Sequence, residues 1–312
     1  MGKPRPLRPG DTIGIVSPSS PIDPDKLARG QRVVEEAGFR VKRFPHVLAA
    51  DQYLAGADAD RAADLQSAFL DPEVDAIWCS RGGYGCARLL SYLDLDAMAA
   101  SSKLFLGFSD ITTIHLALNR RGLPTIHAPM ALSLSVPREP YVIASFLGVL
   151  QGHDPIPAEA PRATTLVGGV AEGDVTGGCL CLLCDSLATP DSLDASGKIL
   201  LIEDVDENPH RVDAMLTHLL NADVLPRTAG IVVGEMSNTD ERHDATIGGR
   251  PWREIVTERI APLGIPAVID YPFGHRKEML SLPLGVRARL DADAGTLTYL
   301  ESPTDSGQAG CE

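Results

Sequence analysis

Positive charge is what this sequence has little of. Its 312 residues carry 28 Lys and Arg against 42 Asp and Glu, a formal net charge of -14. No basic stretch exists that would track a phosphate backbone, so nucleic acid is excluded as an expected partner. Long apolar runs are also missing. Nothing approaches the roughly 20 apolar residues that cross a bilayer. The opening residues, Met1-Gly2-Lys3-Pro4-Arg5-Pro6-Leu7-Arg8, lack the apolar heart of a signal peptide. The expectation is a cytoplasmic protein with no membrane partner, and six cysteines fit that compartment. Cys79 and Cys86 flank one loop, Cys179, Cys181 and Cys184 cluster, and Cys311 sits in the tail. The C-x-C-x-x-C cluster offers three ligands with no clear fourth and lies in an apolar run, Leu180 to Leu187, that reads as a buried helix. These thiols therefore read as small core residues, and neither a metal nor a cofactor is expected.

What is present is an alternation. Strand patterns at Thr12–Val16, Val41–Phe44, Ala76–Cys79 and Leu104–Leu106 are interleaved with helical patterns at Lys26–Ala37, Ala59–Phe69 and Cys86–Leu93. Asp58 or Asp60 is the expected cap of the second helix. Pro124–His127 adds a further strand. Such alternation predicts a parallel sheet covered on both faces, with functional loops at the carboxyl ends of its strands. After a helix at Tyr141–Leu150 the pattern changes. A Pro- and Ala-rich linker leads to β-like stretches, an apolar helix from Cys179, a strand Lys198–Ile202 and helices at Val212–Leu220 and Trp252–Leu263. A closing hairpin turns around Asp293-Ala294-Gly295. The expected organisation is an α/β chain: a nucleophile domain over 1–152, a linker over 153–165, a second domain over 166–303 and a flexible tail over 304–312.

Gly107-Phe108-Ser109-Asp110 lies where a short strand breaks into a helical pattern. That is the placement that lifts a serine above a sheet in α/β hydrolases. The first N–H groups of the following helix have no internal partner and suit a developing oxyanion. The same four residues also describe a plain strand ending in a serine cap. Glu203 closes the aliphatic run Ile199–Ile202, where a carboxylate needs a partner, although Asp204, Asp206 and Glu207 follow it as in any exposed turn. His275 follows Pro272-Phe273-Gly274 on a loop after a buried strand. His115 lies inside the helix after Ser109 and points elsewhere. His127 ends a strand, His210 and His218 belong to a helix, and His46, His153 and His243 lie in polar loops. Ser109, Glu203 and His275 thus each end a strand. Gly82-Gly83 lets backbone approach a substrate closely, as half of an oxyanion hole, a phosphate cradle or an ordinary tight turn.

Taken together, Arg81-Gly82-Gly83-Tyr84-Gly85, Gly107-Phe108-Ser109-Asp110, Leu201-Ile202-Glu203-Asp204, Arg211-Val212 and Phe273-Gly274-His275 resemble the LD-carboxypeptidases. These are cytoplasmic serine peptidases of murein recycling, grouped with the microcin-immunity peptidases. The resemblance runs from about Arg8 to Leu300. It implies Ser109 as nucleophile, His275 as base and Glu203 as the acid that orients it, with the N–H groups of Gly83 and Asp110 as the oxyanion hole. It further implies a flavodoxin-like N-terminal domain, a β-rich α/β C-terminal domain with the site between them, a homodimer, and a murein peptide substrate losing a C-terminal D-amino acid. Arg81, Gly82, Tyr84 and Arg211 are candidate substrate contacts, and Arg276 and Lys277 lie nearby in sequence; for each cation, ordinary surface charge is the competing reading.

Some positions depart from the family pattern. Cys179 stands where Asn is common, Ala128 replaces a Gly and Ala214 an Arg. Thr189-Pro190 is followed by Asp191-Ser192 rather than an aromatic residue. The last departure weighs against a microcin-type enzyme that stacks a nucleotide. A general esterase is disfavoured by bulky Ile111 where its elbow wants a glycine. A non-catalytic binder using Gly82-Gly83 is the remaining alternative.

Overall fold

The computed structural model describes residues 2–242, 246 and 248–305. His243, Cys311 and all but the first two residues of the expected 304–312 tail lie outside the described residues. In chain order the strands are β1 (Thr12–Val16), β2 (Arg40–Arg43), β3 (Ala76–Cys79), β4 (Leu104–Gly107), β5 (Thr125–His127), β6 (Thr164–Val167), β7 (Val170–Cys179), β8 (Ile199–Val205), β9 (Gly230–Ser237), β10 (Ala267–Ile269), β11 (Leu282–Leu284), β12 (Arg287–Asp291) and β13 (Thr296–Tyr299). The helices are α1 (Pro24–Glu36), α2 (Asp58–Leu70), α3 (Leu95–Ala100), α4 (Thr112–Arg120), α5 (Pro140–Leu150), α6 (Leu180–Ser186), α7 (Pro209–Asn221) and α8 (Trp252–Ile260). The chain divides into two units.

The first unit comprises the described parts of Met1–Pro157, Ser281–Gly285 and Ser302–Glu312. Its sheet has the order β11-β5-β4-β3-β1-β2, parallel from β2 to β5. That is the flavodoxin-like order, in which the chain winds outward in both directions from β1. Strands β1, β3 and β4 are buried throughout, as apolar strands covered on both faces must be. Ile13, Ile15, Trp78, Leu104 and Leu106 pack with Leu27 and Val34 of α1 and Phe146 and Val149 of α5. The Trp78 indole N–H donates to Pro129 O at 2.8 Å, which satisfies its one polar atom in the core. The expected β1 to β5 all form. The antiparallel edge strand β11, paired with β5, and the short α3 had no distinct signal in the sequence.

Two local details differ from the sequence reading. Helix α2 starts after Ala57 with no side-chain cap; Asp58 turns instead to Arg61 and Arg88. The stretch expected as a helix from Cys86 is a 3-10 segment over Cys86–Tyr92.

The second unit comprises Ala158–Leu280 and Val286–Glu301. Its mixed sheet has the order β13-β12-β7-β8-β9-β10-β6. Strands β7 to β10 run parallel at its centre and antiparallel strands flank them. The β12–β13 hairpin forms where the turn Asp293-Ala294-Gly295 predicts it. Strand β7 spans ten residues rather than the short stretch expected. Buried Leu180 and Leu183 of α6 and Val212, Leu216 and Leu219 of α7 point inward. Among the described residues no helix is long and apolar enough to cross a membrane.

Candidate active site

In the first unit the loops after β1, β3 and β4 meet at the carboxyl end of the sheet, where β1 parts from β3. That is the topological switch point at which such sheets bind ligands. Ser109 follows β4 through an extended Phe108 (φ -157, ψ -172) and itself has φ +64. A left-handed backbone costs a non-glycine residue about 1–2 kcal/mol and persists only where the surroundings impose it. The chain then turns through a 3-10 segment, Ser109–Ile111, into α4.

The Asp110 carboxylate does not cap that helix. It is buried and accepts from Ser19 Oγ at 2.5 Å and from the Cys86 N–H at 2.9 Å. Asp110 thereby ties together the three loops whose backbone surrounds the serine. A Cβ at Gly82 would stand 2.9 Å from Ser109 Cβ, 3.0 Å from its Oγ and 3.4 Å from Asp110 N. The glycine lets the β3 loop lie directly on the serine. Gly83, with φ +123, rests on the Ser20 side chain.

Beneath these loops lies a residue the sequence reading passed over. Arg61, on α2, is 1% exposed. Its guanidinium donates to Pro18 O, to Gly85 O at 3.2 Å and to Gly56 O at 3.3 Å, and pairs with Asp58. An arginine on a helix face looks like surface charge in sequence. Only its burial shows that it joins the β1 and β3 loops.

In the second unit Glu203 sits on β8 where the β8–β9 register shifts, between Ile202 and Asp204. It is 0% exposed. Its Oε2 accepts from His275 Nδ1 at 2.7 Å and from the His275 backbone N–H at 3.2 Å. Two donors converging on one oxygen orient the ring, and a carboxylate at Nδ1 selects the tautomer with Nε2 as acceptor. Ser237 Oγ donates to His275 O at 3.0 Å and fixes the loop from the other side. Burial lowers the His275 pKa, but the charge and hydrogen bond of Glu203 outweigh it and leave the imidazole above its usual value. Gly274 has φ +93, and a Cβ there would fall 2.6–2.8 Å from the Glu203 side chain. No other residue fits both requirements.

The remaining histidines behave differently. His115 is fully buried, bonded through Nε2 to Gly107 O at 2.9 Å, and burial pushes its pKa down to about 3. His46 Nδ1 meets Asp64 Oδ1 at 2.9 Å. Of the candidate substrate contacts, Arg81 donates to Pro21 O and Gly82 O, both at 3.1 Å. Tyr84 is half-exposed with its ring 5.9 Å from that of Tyr53. Arg211 is an exposed residue of α7, 3.9 Å from Glu207.

The cysteine cluster is less buried than the sequence suggested. Cys179 is buried, whereas Cys181 and Cys184 are only partly so. Cys179, Cys181 and Asp204 bring their ligand atoms within 4.8 Å of one another. Asp204 is the partner that sequence spacing could not reveal.

The LD-carboxypeptidase N-terminal domain matches over residues 13–128 and the LD-carboxypeptidase C-terminal domain over residues 172–290. A probable murein peptide carboxypeptidase of Bacillus subtilis is 36% identical over 93% of this chain and 91% of its own. A murein tetrapeptide carboxypeptidase of Pseudomonas aeruginosa is 34% identical over 90% of this chain and 93% of its own. Among solved structures, the microcin C7 self-immunity protein MccF in complex with aspartyl sulfamoyl adenosine superposes with a TM-score of 0.85. It covers 97% of this chain and 99% of its own at 25% identity.

Proposed function

Because the chain belongs to the LD-carboxypeptidase family and is a peptidase, we propose that it is a serine enzyme that cleaves the L-D peptide bond before a C-terminal D-alanine in murein tetrapeptides. The observation that carries this reading is the Glu203–His275 pair, an acid-oriented imidazole with Nδ1 committed at 2.7 Å. In the proposed reaction Ser109 Oγ attacks the carbonyl of the L-centre, meso-diaminopimelate or L-lysine. His275 Nε2 takes the hydroxyl proton. The N–H groups of Gly83 and Asp110 receive the oxyanion, a contribution of about 3 kcal/mol per donor in comparable sites. The Cα–N bond stays intact; the C–N amide bond breaks as His275 returns the proton to the departing D-alanine amine. Water then hydrolyses the acyl-serine with the imidazole again as base. The Asp110 carboxylate supports this by anchoring the residue whose amide is used. Arg81, Gly82, Tyr84 and Arg211 are proposed to contact substrate.

We place this activity in the cytoplasm, in cell-wall recycling and on a homodimer, by the family resemblance. The competing reading is cleavage of an aminoacyl-nucleotide conjugate, favoured by the likeness to MccF. Asp191-Ser192 after Thr189-Pro190 offers no ring for base stacking. Incubation of the protein with L-Lys-D-Ala and diaminopimelate-D-Ala peptides and with an aspartyl-nucleotide conjugate, followed by mass spectrometry, tests the choice. Release of D-alanine that disappears in Ser109→Ala supports the proposal. Turnover of the conjugate alone, or turnover retained in Ser109→Ala, refutes it.

A further inference from the structure

At the end of β7 the chain turns into α6, and three soft or anionic side chains meet there. Cys179 Sγ lies 3.5 Å from Cys181 Sγ and 3.5 Å from Asp204 Oδ1. Around a tetrahedral zinc ion, with metal–sulfur bonds of about 2.3 Å and metal–oxygen bonds of about 2.0–2.2 Å, ligand atoms stand roughly 3.5–3.8 Å apart. Two of the three edges of the cluster are therefore close to those of a metal site, and the third lies within 4.8 Å. Asp204 is 1% exposed. Its Oδ2 accepts from the Cys181 N–H at 2.8 Å and its Oδ1 from the Val205 N–H at 2.7 Å. These bonds hold the carboxylate against the thiols as an outer-shell partner would. Asp204 adjoins Glu203, which is also buried, and two carboxyl groups side by side in a buried place are a setting that a cation relieves. Cys181 is partly exposed and provides the route in. Cys184 is not part of the group; its thiol donates to Met215 O. A disulfide switch would use the same two thiols but leaves the Asp204 carboxylate, 3.5 Å from Cys179 Sγ, without a role. A bound metal supplies the charge that stabilises the thiolates.

We propose that Cys179, Cys181 and Asp204 form a binding site for a thiophilic divalent cation of the zinc class, with one coordination position left to water or an added ligand. Binding transfers the two thiol protons to solvent and forms two metal–thiolate bonds and one metal–carboxylate bond, with no redox change. Cys179 pairs with Glu203 in the β7–β8 register and Asp204 adjoins it; binding is neutral overall because two thiol protons leave, so an ion here acts on the Glu203–His275 pair by drawing the β7 and β8 backbone together rather than by charge. Zinc is therefore an inhibitor of the peptidase, a consequence that rests on the function proposed above.

The test titrates the full-length reduced protein with Co2+ as a spectroscopic probe and then displaces it with Zn2+. The expected result is a thiolate-to-cobalt charge-transfer band that zinc removes at one equivalent. Cys181→Ser and Asp204→Asn should each weaken zinc binding about tenfold or more, while Cys184→Ser binds as the parent does. Absence of the band in the parent overturns the proposal. So does Cys181→Ser binding as tightly as the parent, or Cys184→Ser losing as much as Cys181→Ser. Circular dichroism and the thermal midpoint confirm that each variant is folded. Zinc inhibition of D-alanine release, absent from Cys181→Ser, supports the coupling. Metal binding by a chain that cleaves no L-D bond leaves the site standing and refutes the peptidase reading instead.

Discussion

Replacing Glu203 by Gln removes one charge from a side chain with no solvent exposure and scarcely changes its volume. Its Oε2 stands 2.7 Å from His275 Nδ1. At an effective dielectric of 20, an imidazolium and a carboxylate at that separation attract by about 6 kcal/mol. That attraction exists only when the base holds the serine proton, so it acts on the transition state rather than on bound substrate. Its loss corresponds to roughly four powers of ten in kcat, with KM little changed. The pH profile supplies a second, independent readout. In the parent, Glu203 holds His275 above its usual pKa against the effect of burial. The imidazole must be neutral to act as base, so the acid limb of kcat/KM lies above about pH 6.5. In Glu203→Gln burial remains and the opposing charge is gone, which moves the limb to lower pH. D-alanine release followed across pH 5 to 9, by mass spectrometry, measures both. A variant within tenfold of the parent, with its acid limb unmoved, would refute the reasoning.

Three further outcomes are expected. Ser109→Ala and Ser109→Gly should both lose at least about four powers of ten in turnover, while glycine, relieved of the φ +64 backbone, gains up to about 1 kcal/mol in urea unfolding over alanine; turnover near the parent's in either variant removes the serine from the mechanism. Gly274→Ala places a Cβ against the Glu203 carboxylate at φ +93 and should cost about 1–3 kcal/mol of stability with a fall in kcat; parental activity would show that the close approach is dispensable. Arg61→Met should cost about 3 kcal/mol by leaving buried carbonyl groups unsatisfied, towards the low end because Asp58 keeps Arg88, and should lower kcat by loosening the Pro18 and Gly85 loops; an unchanged urea midpoint would contradict the role assigned to its guanidinium.

The sequence alone determined the parallel sheet and the placement of Ser109 and His275 on segments that follow strands, because apolar runs interrupted by glycine and acid write strand and turn locally; Glu203, expected to close its strand, lies inside β8, which continues to Val205 because β9 pairs with it there. Strands β1 and β3 were legible as buried runs for that reason, and the β12–β13 hairpin through its turn residues. Strand β11 was not legible: Leu282-Pro283-Leu284 is too short to show a period and is a strand only because β5 lacks a partner on that edge. Nor could spacing show that the Asp110 carboxylate would anchor the Ser19 and Cys86 loops, that Arg61 would be buried, or that Asp204 would join two thiols. Each depends on which backbone groups and side chains lie opposite in space. Burial and the pairing it enforces arise from residues distant along the chain, so they are decided only when the sheets form.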